Sequence, residues 1–280
     1  MIVDCHSHVW LREHLSDEFI ADSSRAKTSP VNFDIRPEDH WTAMGPVDKA
    51  IVFGLRAKHS GILVPNEFVA AYVREHPEKL IGFASVDPSE PGYLDILQHS
   101  VEELNLRGVK LGPIYQNVHP MDKRMQPIYE YCQRKHLPLM IHQGTTFLRV
   151  APLKIASPVL LEDVALEYPD LKIVIAHLGH PWIEETTVLI RKQPNIFADI
   201  SALCYRPWQF YNALVLANEY CVLDKLLFGS DFPFATPQET IDGLLSINRL
   251  VEGTSLPRVP EEALQGIVQR DALTILGIEG

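Results

Sequence analysis

Close to the amino terminus, the segment VDCHSHVW places His6 and His8 two positions apart. Successive side chains of an extended strand point to opposite faces, so the two imidazoles project to the same side, as does Asp4. Two imidazoles so placed can reach one ion. Three further residues of compatible chemistry stand at the ends of apolar runs: His142 in PLMIHQG, His177 in IVIAHLG and Asp231 in LLFGSDFP. Crowding imidazoles and a carboxylate together is costly without a cation, whereas a borderline divalent ion accepts nitrogen and oxygen donors at once. The expected chemistry is that of a centre holding one divalent metal. Zinc is the first choice, with manganese and magnesium as alternatives.

Bringing residues so distant in sequence to one place requires a scaffold whose strands all end on the same face. Eight short β-branched or apolar runs recur: Ile2 to His8, Lys49 to Leu55, Leu80 to Asp87, Gly108 to Gly112, Pro138 to Gln143, Lys172 to His177, Asn195 to Ser201 and Leu226 to Asp231. Runs such as AIVFGL, IGFASVD and KIVIAH are apolar throughout, the pattern of parallel strands covered on both faces. Amphipathic stretches come after most of them. Asn66 to Glu75 carries Phe68, Val69, Tyr72 and Val73 on one stripe, and Tyr93 to Leu104 carries Leu94, Leu97, Val101 and Leu104. Pro127 to Lys135, Pro158 to Tyr168 and Trp182 to Lys192 repeat the plan, and a proline (Pro138, Pro169 and Pro194 in turn) separates each from the next strand. Eight β-then-α units over 280 residues predict an α/β fold, a single-domain (β/α)8 TIM barrel spanning 1–280, whose strand carboxyl ends would gather the five residues. Residues 9–48 are too long for an ordinary connection and are expected to form a partly helical, cap-like insertion after the first strand.

Composition narrows the function. The chain is 46% hydrophobic and 22% charged, with a mean hydropathy of −0.02, as in a folded globular protein. Lys and Arg number 25 against 36 Asp and Glu, a net charge of −11 with no dense basic run, which argues against nucleic acid or an anionic membrane as partner. No apolar stretch is long enough to span a bilayer and MIVDCHSHVW does not read as a leader, so a cytoplasmic location is expected. Cys5, Cys132, Cys204 and Cys221 form neither a disulfide pattern nor a Cys-x-x-Cys pair, and read as reduced thiols. No glycine-rich phosphate loop comes after the first strand.

The order His-x-His on strand one, His on strand five, His on strand six and Asp on strand eight resembles the amidohydrolase superfamily. VDCHSHVW, RGVKLGP, IAHLGHPW and LFGSDFPF are similar to its amidohydrolase-2 branch, which includes aminocarboxymuconate-semialdehyde decarboxylase-like and lactonase-like enzymes. The resemblance spans essentially the whole chain. It implies that His6, His8, His142 and Asp231 hold one divalent ion and that His177 stands beside the bound water, as an acid, a base, an orienting group or a fifth ligand. A divalent ion lowers the pKa of water from 15.7 to about 7. Asp231 would accept the proton as a carbonyl carbon is attacked, and His177 would orient the water or protonate the leaving group. Two reactions fit these residues: hydrolysis of an amide, lactone or ester bond, and non-oxidative decarboxylation of an aromatic or muconate-type acid. A non-catalytic binding barrel is a third option, against which the intact ligand set counts.

Several residues have more open readings. Lys110 in RGVKLGP could bind an anionic substrate group or pair with Asp4 or Asp231, form the carboxylated bridge of binuclear relatives, or serve barrel packing. Asp4 reads as a partner that orients a ligand. Tyr115, Gln116 and His119 after strand four, His180 and Trp182 after strand six, and Arg206 after strand seven are candidate contacts to a small-molecule substrate. Arg206 matters most for a carboxylate, which a guanidinium binds bidentately. Cys5 should point away from the histidines as a core thiol, and nothing beside Cys204 marks it as a nucleophile. A homodimer is compatible with the exposed helices.

Overall fold

The computed structural model describes residues 1–26 and 31–278. Eight parallel strands succeed one another along the chain: β1 (Val3–His8), β2 (Lys49–Phe53), β3 (Leu80–Ser85), β4 (Val109–Leu111), β5 (Leu139–Ile141), β6 (Ile173–Ile175), β7 (Ile196–Asp199) and β8 (Leu226–Leu227). Each is hydrogen-bonded to the next. The ring closes where the Cys5 and His8 amides donate to the carbonyls of Phe228 and Phe232, both at 2.9 Å, and the Asp231 amide donates to the His6 carbonyl at 2.8 Å. All eight expected strands are present, trimmed at their ends. His142, His177 and Asp231 therefore sit just beyond β5, β6 and β8, on the loops at the carboxyl face.

The apolar runs are buried twice over. One core lies between strands and helices and includes Val52, Leu111, Ile141, Ile175 and Ile200. A second fills the barrel interior with Val3, Cys5, Ile51, Phe53, Phe83 and Met140, and the last helix, Ala272–Leu276, adds Ala272, Leu273 and Leu276. Full burial of each such large side chain contributes about 1.5–3 kcal/mol. The helix Asn66–Glu75 ends before Pro77, which lacks an N–H and disfavours helical geometry in His76. In Tyr93–Glu102 the stripe is only partly inward: Leu97 is fully buried, but Leu94 turns to solvent.

Strand β1 departs from simple alternation. Asp4 pairs with Ala50 and Ser7 with Val52, so three steps on β1 oppose two on β2. This bulge inserts one residue between them. His6 and His8 still share a side, with their Nε2 atoms 3.3 Å apart, but Asp4 does not join them there. Cys5, expected to point away from the histidines, is a core thiol inside the barrel.

Between β1 and β2 lie the helices Asp17–Arg25 and Pro37–Ala43; residues 27–30 of the 9–48 span lie outside the described residues. Ser16 caps the first helix by accepting from the Phe19 amide. His40, fully buried on the second, bonds the Ser7 hydroxyl and the Tyr72 hydroxyl, each at 2.9 Å. Among the described residues, no helix is long and apolar enough to cross a membrane.

Candidate metal centre and cavity

Strand β1 delivers His8 to the floor of a cavity of about 360 Å³ at the carboxyl face, with His6 fully buried beside it. His6 Nε2 lies 3.3 Å from His8 Nε2 and 3.2 Å from Asp231 Oδ1, and His8 Nε2 lies 3.3 Å from the same oxygen. Asp231 reaches this point because the chain after β8 passes very close to β1. Gly229 permits the approach, since a Cβ there would stand 2.9 Å from the His6 Cβ. Beside it, Asp4 accepts from the His6 amide at 3.0 Å, the Ser230 amide at 3.0 Å and the Ser230 hydroxyl at 2.6 Å. Asp4 thus positions the two segments that bear the candidate ligands His6 and Asp231, and is not itself at the centre. Its burial pushes the carboxyl up to about 6 against those bonds.

The triangle has the dimensions and chemistry of a metal site. A tetrahedral ion bonded at about 2.0–2.1 Å holds neighbouring donors about 3.4 Å apart, close to the three separations here. Two of the three donors, His8 and Asp231, are also in suitable protonation states. Burial pushes His8 and His177 down to about 4 and His142 well below its usual range, so these imidazoles are neutral. Burial alone would raise Asp231, but His177, His6 and His8 outweigh it and hold the carboxyl well below the usual range. His6, His8 and Asp231 fit a divalent ion.

His142 faces the same cavity but stands apart from this triangle. Its Nε2 is turned to the Thr145 carbonyl at 3.0 Å, and its ring packs 5.1 Å from that of His177 and 4.7 Å from that of Tyr115.

A second group behind the floor escaped the sequence reading. Asp199 at the end of β7 is fully buried, and its Oδ2 lies 2.8 Å from His6 Nδ1. Its Oδ1 accepts from the His177 amide at 2.9 Å, the Ser201 amide at 3.0 Å and the Ser201 hydroxyl. The Ser201 hydroxyl lies 2.8 Å from His177 Nδ1. Burial alone would raise Asp199; the His6 and His177 charges and the bonds from His6 and Ser201 hold it far below the carboxylate range. The same Asp199 contact holds His6 above its usual range although burial and Lys110 push it down. The only sequence signal for Asp199 is a carboxylate closing the apolar run IFAD.

Lys110, in mid-β4, is fully enclosed. Its Nζ lies 3.2 Å from His6 Nε2 and 4.6 Å from the centre of the Phe53 ring. Among the described residues it has no carboxylate within 4 Å, so the pairing with Asp4 or Asp231 does not form; Asp4 is occupied by Ser230 and the His6 amide. Burial pushes the ammonium down to about 8, opposed by the charges of Asp199 and Asp231.

Above the floor the walls are largely apolar, with Trp10, Leu15 and Phe19 from the 9–48 span facing Phe147, Leu203 and Phe234. Tyr115, His180 and Arg206 line the same cavity as Lys110 and His142. Arg206 donates to the Ala202 carbonyl at 2.8 Å and packs 4.6 Å from the centre of the Tyr205 ring. Burial and Arg206 push His180 down to about 4. Three other candidates lie elsewhere. Gln116 spends its amide on the Arg56 and Val86 carbonyls, both at 2.8 Å, while His119 is exposed and accepts from the Met121 amide. Trp182 packs against the outer core. Cys204 receives a weak contact from the Thr240 hydroxyl at 3.7 Å.

An eight-stranded parallel barrel with two strand-one histidines and a strand-eight aspartate converging at its carboxyl face defines a TIM-barrel protein with a metal-type centre. The amidohydrolase-2 family model, described as amidohydrolase, matches residues 3–277, and the chain belongs to that family. No curated protein matches the sequence. Among solved structures, the chain is similar to a probable 2-pyrone-4,6-dicarboxylic acid hydrolase of Acinetobacter baumannii with citric acid bound (17% identity, 99% of each chain, TM-score 0.67). It is also similar to an amidohydrolase of Burkholderia multivorans with bound zinc (13% identity, 100% of each chain, TM-score 0.69). A third is 5-carboxyvanillate decarboxylase of Novosphingobium aromaticivorans complexed with manganese and 4-hydroxy-3-methoxy-5-nitrobenzoic acid (14% identity, 99% of this chain and 96% of that one, TM-score 0.67).

Proposed function

We propose that the protein is a metal-dependent hydrolase that cleaves an amide, lactone or ester bond in a small molecule. The observation that carries this reading is the triangle of His6 Nε2, His8 Nε2 and Asp231 Oδ1, with sides of 3.2–3.3 Å, at the floor of a cavity. A divalent ion held by these residues, zinc in the first place, supplies Lewis acidity that lowers the pKa of water from 15.7 to about 7. Asp231, ionised beside His177, takes the proton of the attacking water. His177 orients that water or passes the proton to the leaving group. The apolar walls exclude bulk water, and Arg206 and Lys110 offer positive charge to a carboxylate on the substrate. The zinc in the Burkholderia amidohydrolase and the named activity of the Acinetobacter hydrolase agree with this reading.

Non-oxidative decarboxylation of an aromatic or muconate-type acid is the second reading. It is favoured by the two cations, Lys110 and Arg206, on a cavity with aromatic walls, and the manganese-bound decarboxylase is a structural relative. The test has two parts. Elemental analysis of His6→Ala and Asp231→Asn should show lost metal in both, and unchanged content in both overturns the metal assignment. The zinc-loaded protein is then given lactones, amides, esters and aromatic carboxylates. Water-consuming cleavage supports the hydrolase, and carbon dioxide release without it supports the decarboxylase.

A further inference from the structure

We infer that Asp199, through the Ser201 hydroxyl, fixes the tautomer of His177 so that Nδ1 carries the ring hydrogen and Nε2 presents a lone pair. This deepens the hydrolase reading, in which His177 stands beside the reacting water. It makes Ser201 and Asp199 positioning residues that act through His177.

Counting hydrogens leaves one consistent arrangement. His177 Nδ1 lies 2.8 Å from the Ser201 hydroxyl oxygen and 3.2 Å from the Ser201 carbonyl oxygen. A carbonyl can only accept, so that contact requires a hydrogen on Nδ1. The hydroxyl could in principle donate to a bare Nδ1, but its hydrogen is already directed to Asp199 Oδ1. Asp199 is fully buried and, as a carboxylate, can only accept; it takes the Ser201 amide, the His177 amide and the Ser201 hydroxyl on Oδ1. The Ser201 oxygen is left to accept from His177, and the hydrogen on that ring belongs to Nδ1.

The same carboxylate sets His6 by the same rule. Asp199 Oδ2 stands 2.8 Å from His6 Nδ1, which places a hydrogen there, while Nε2 faces His8, Asp231 and Lys110. One buried acid therefore aligns a metal-type donor directly and the group beside the water through a serine. The same carboxylate also anchors the backbone that carries His177. His177, Leu178 and Gly179 take φ values of 54°, 51° and 64°, a run of left-handed positions that two non-glycine residues adopt only at a cost. The bond from the His177 amide to Asp199 anchors the first of them.

The experiment is nitrogen-15 NMR of the full-length protein labelled at histidine, with His177→Gln used to assign the His177 signals. Spectra are recorded with and without zinc, because the Asp199, Ser201 and His177 chain contains none of the three residues of the metal triangle. The wild type should show His177 with hydrogen on Nδ1 in both states. Ser201→Thr, which keeps a hydroxyl, should preserve that signature. Ser201→Ala should give a mixture of tautomers while zinc content stays at the wild-type level. Finding His177 with hydrogen on Nε2 in the wild type overturns the inference, and this spectrum decides even if the alanine variant fails to fold. A folded Ser201→Ala with an unchanged single tautomer also overturns it. Failure of the protein to bind zinc would overturn the hydrolase reading and leave the tautomer result standing.

Discussion

Asp4 grips Ser230 with both carboxylate oxygens, taking the serine amide at 3.0 Å on Oδ1 and its hydroxyl at 2.6 Å on Oδ2. Oδ1 also accepts from the His6 amide at 3.0 Å. Ser230 directly precedes Asp231, so one buried side chain couples the strand that supplies His6 to the segment that supplies Asp231.

Asp4→Ala should therefore act on the metal site as well as on the fold. It strips the buried Ser230 amide and hydroxyl of their partner, which costs about 1–3 kcal/mol per unsatisfied group. It also frees Asp231, and loss of such a supporting contact lowers metal affinity about 10- to 100-fold. Urea unfolding should report the first effect, and competition with a chelator dye the second. Wild-type zinc retention in a folded Asp4→Ala protein would refute the coupling.

The barrel was legible because buried parallel strands read as unbroken apolar runs and because proline punctuates the helices between them. His6 and His8 were legible because a spacing of two keeps side chains on one face. The rest depends on features that leave no mark in a single sequence. The bulge between Asp4 and Ser7 contains neither glycine nor proline, so Asp4 reads as a neighbour of the histidines when it serves Ser230 instead. Asp199 closes its strand as an ordinary polar residue would, and only the fold brings it to His6, 193 positions away. The orientation of His142 is set by the Thr145 carbonyl in the adjoining loop, and loop geometry of that kind is not encoded in periodicity.

His40 should make stability depend on pH. It is fully enclosed between Ser7 and Tyr72, and burial pushes its pKa down to about 3. The unfolded chain binds a proton near pH 6.5 while the folded protein does not, so its stabilising effect is complete above that value. As the pH falls from about 6.5 toward 3, the contribution is lost at up to about 1.4 kcal/mol per pH unit. Other buried histidines add to the same trend, so the measurement is a difference. Denaturant titrations of wild type and His40→Gln between pH 7.5 and 5 should show the steeper loss in the wild type. Parallel curves would show that His40 titrates alike in both states.

Metal removal should lower thermal stability. Ligand present at a hundred times its Kd contributes about 2.7 kcal/mol to the folded state, which for a domain of this size corresponds to a fall in Tm of about 5–10 °C on chelation. Added zinc should restore the original value. His6→Ala, which lacks a vertex of the triangle, should start lower and respond little to either treatment. An equal response in the variant would mean that the stabilising ion sits elsewhere.

Arg206 offers a test of how the cavity reads its substrate. The guanidinium lies on the wall, one nitrogen held by the Ala202 carbonyl and its plane near the Tyr205 ring, with no carboxylate within 4 Å among the described residues. A hydrogen bond to a charged group is worth about 1.5–3 kcal/mol, so Arg206→Ala should raise KM for a carboxylate-bearing substrate about 10- to 150-fold. Arg206→Lys should recover only part of this, because an ammonium keeps the charge but lacks the planar fork. A neutral ester of the same substrate distinguishes binding from structure. If Arg206 contacts the carboxylate, the ester is processed alike by wild type and variant. If Arg206 only braces the Ala202 turn, where φ is 58°, both substrates suffer equally and the assignment of Arg206 to the substrate fails.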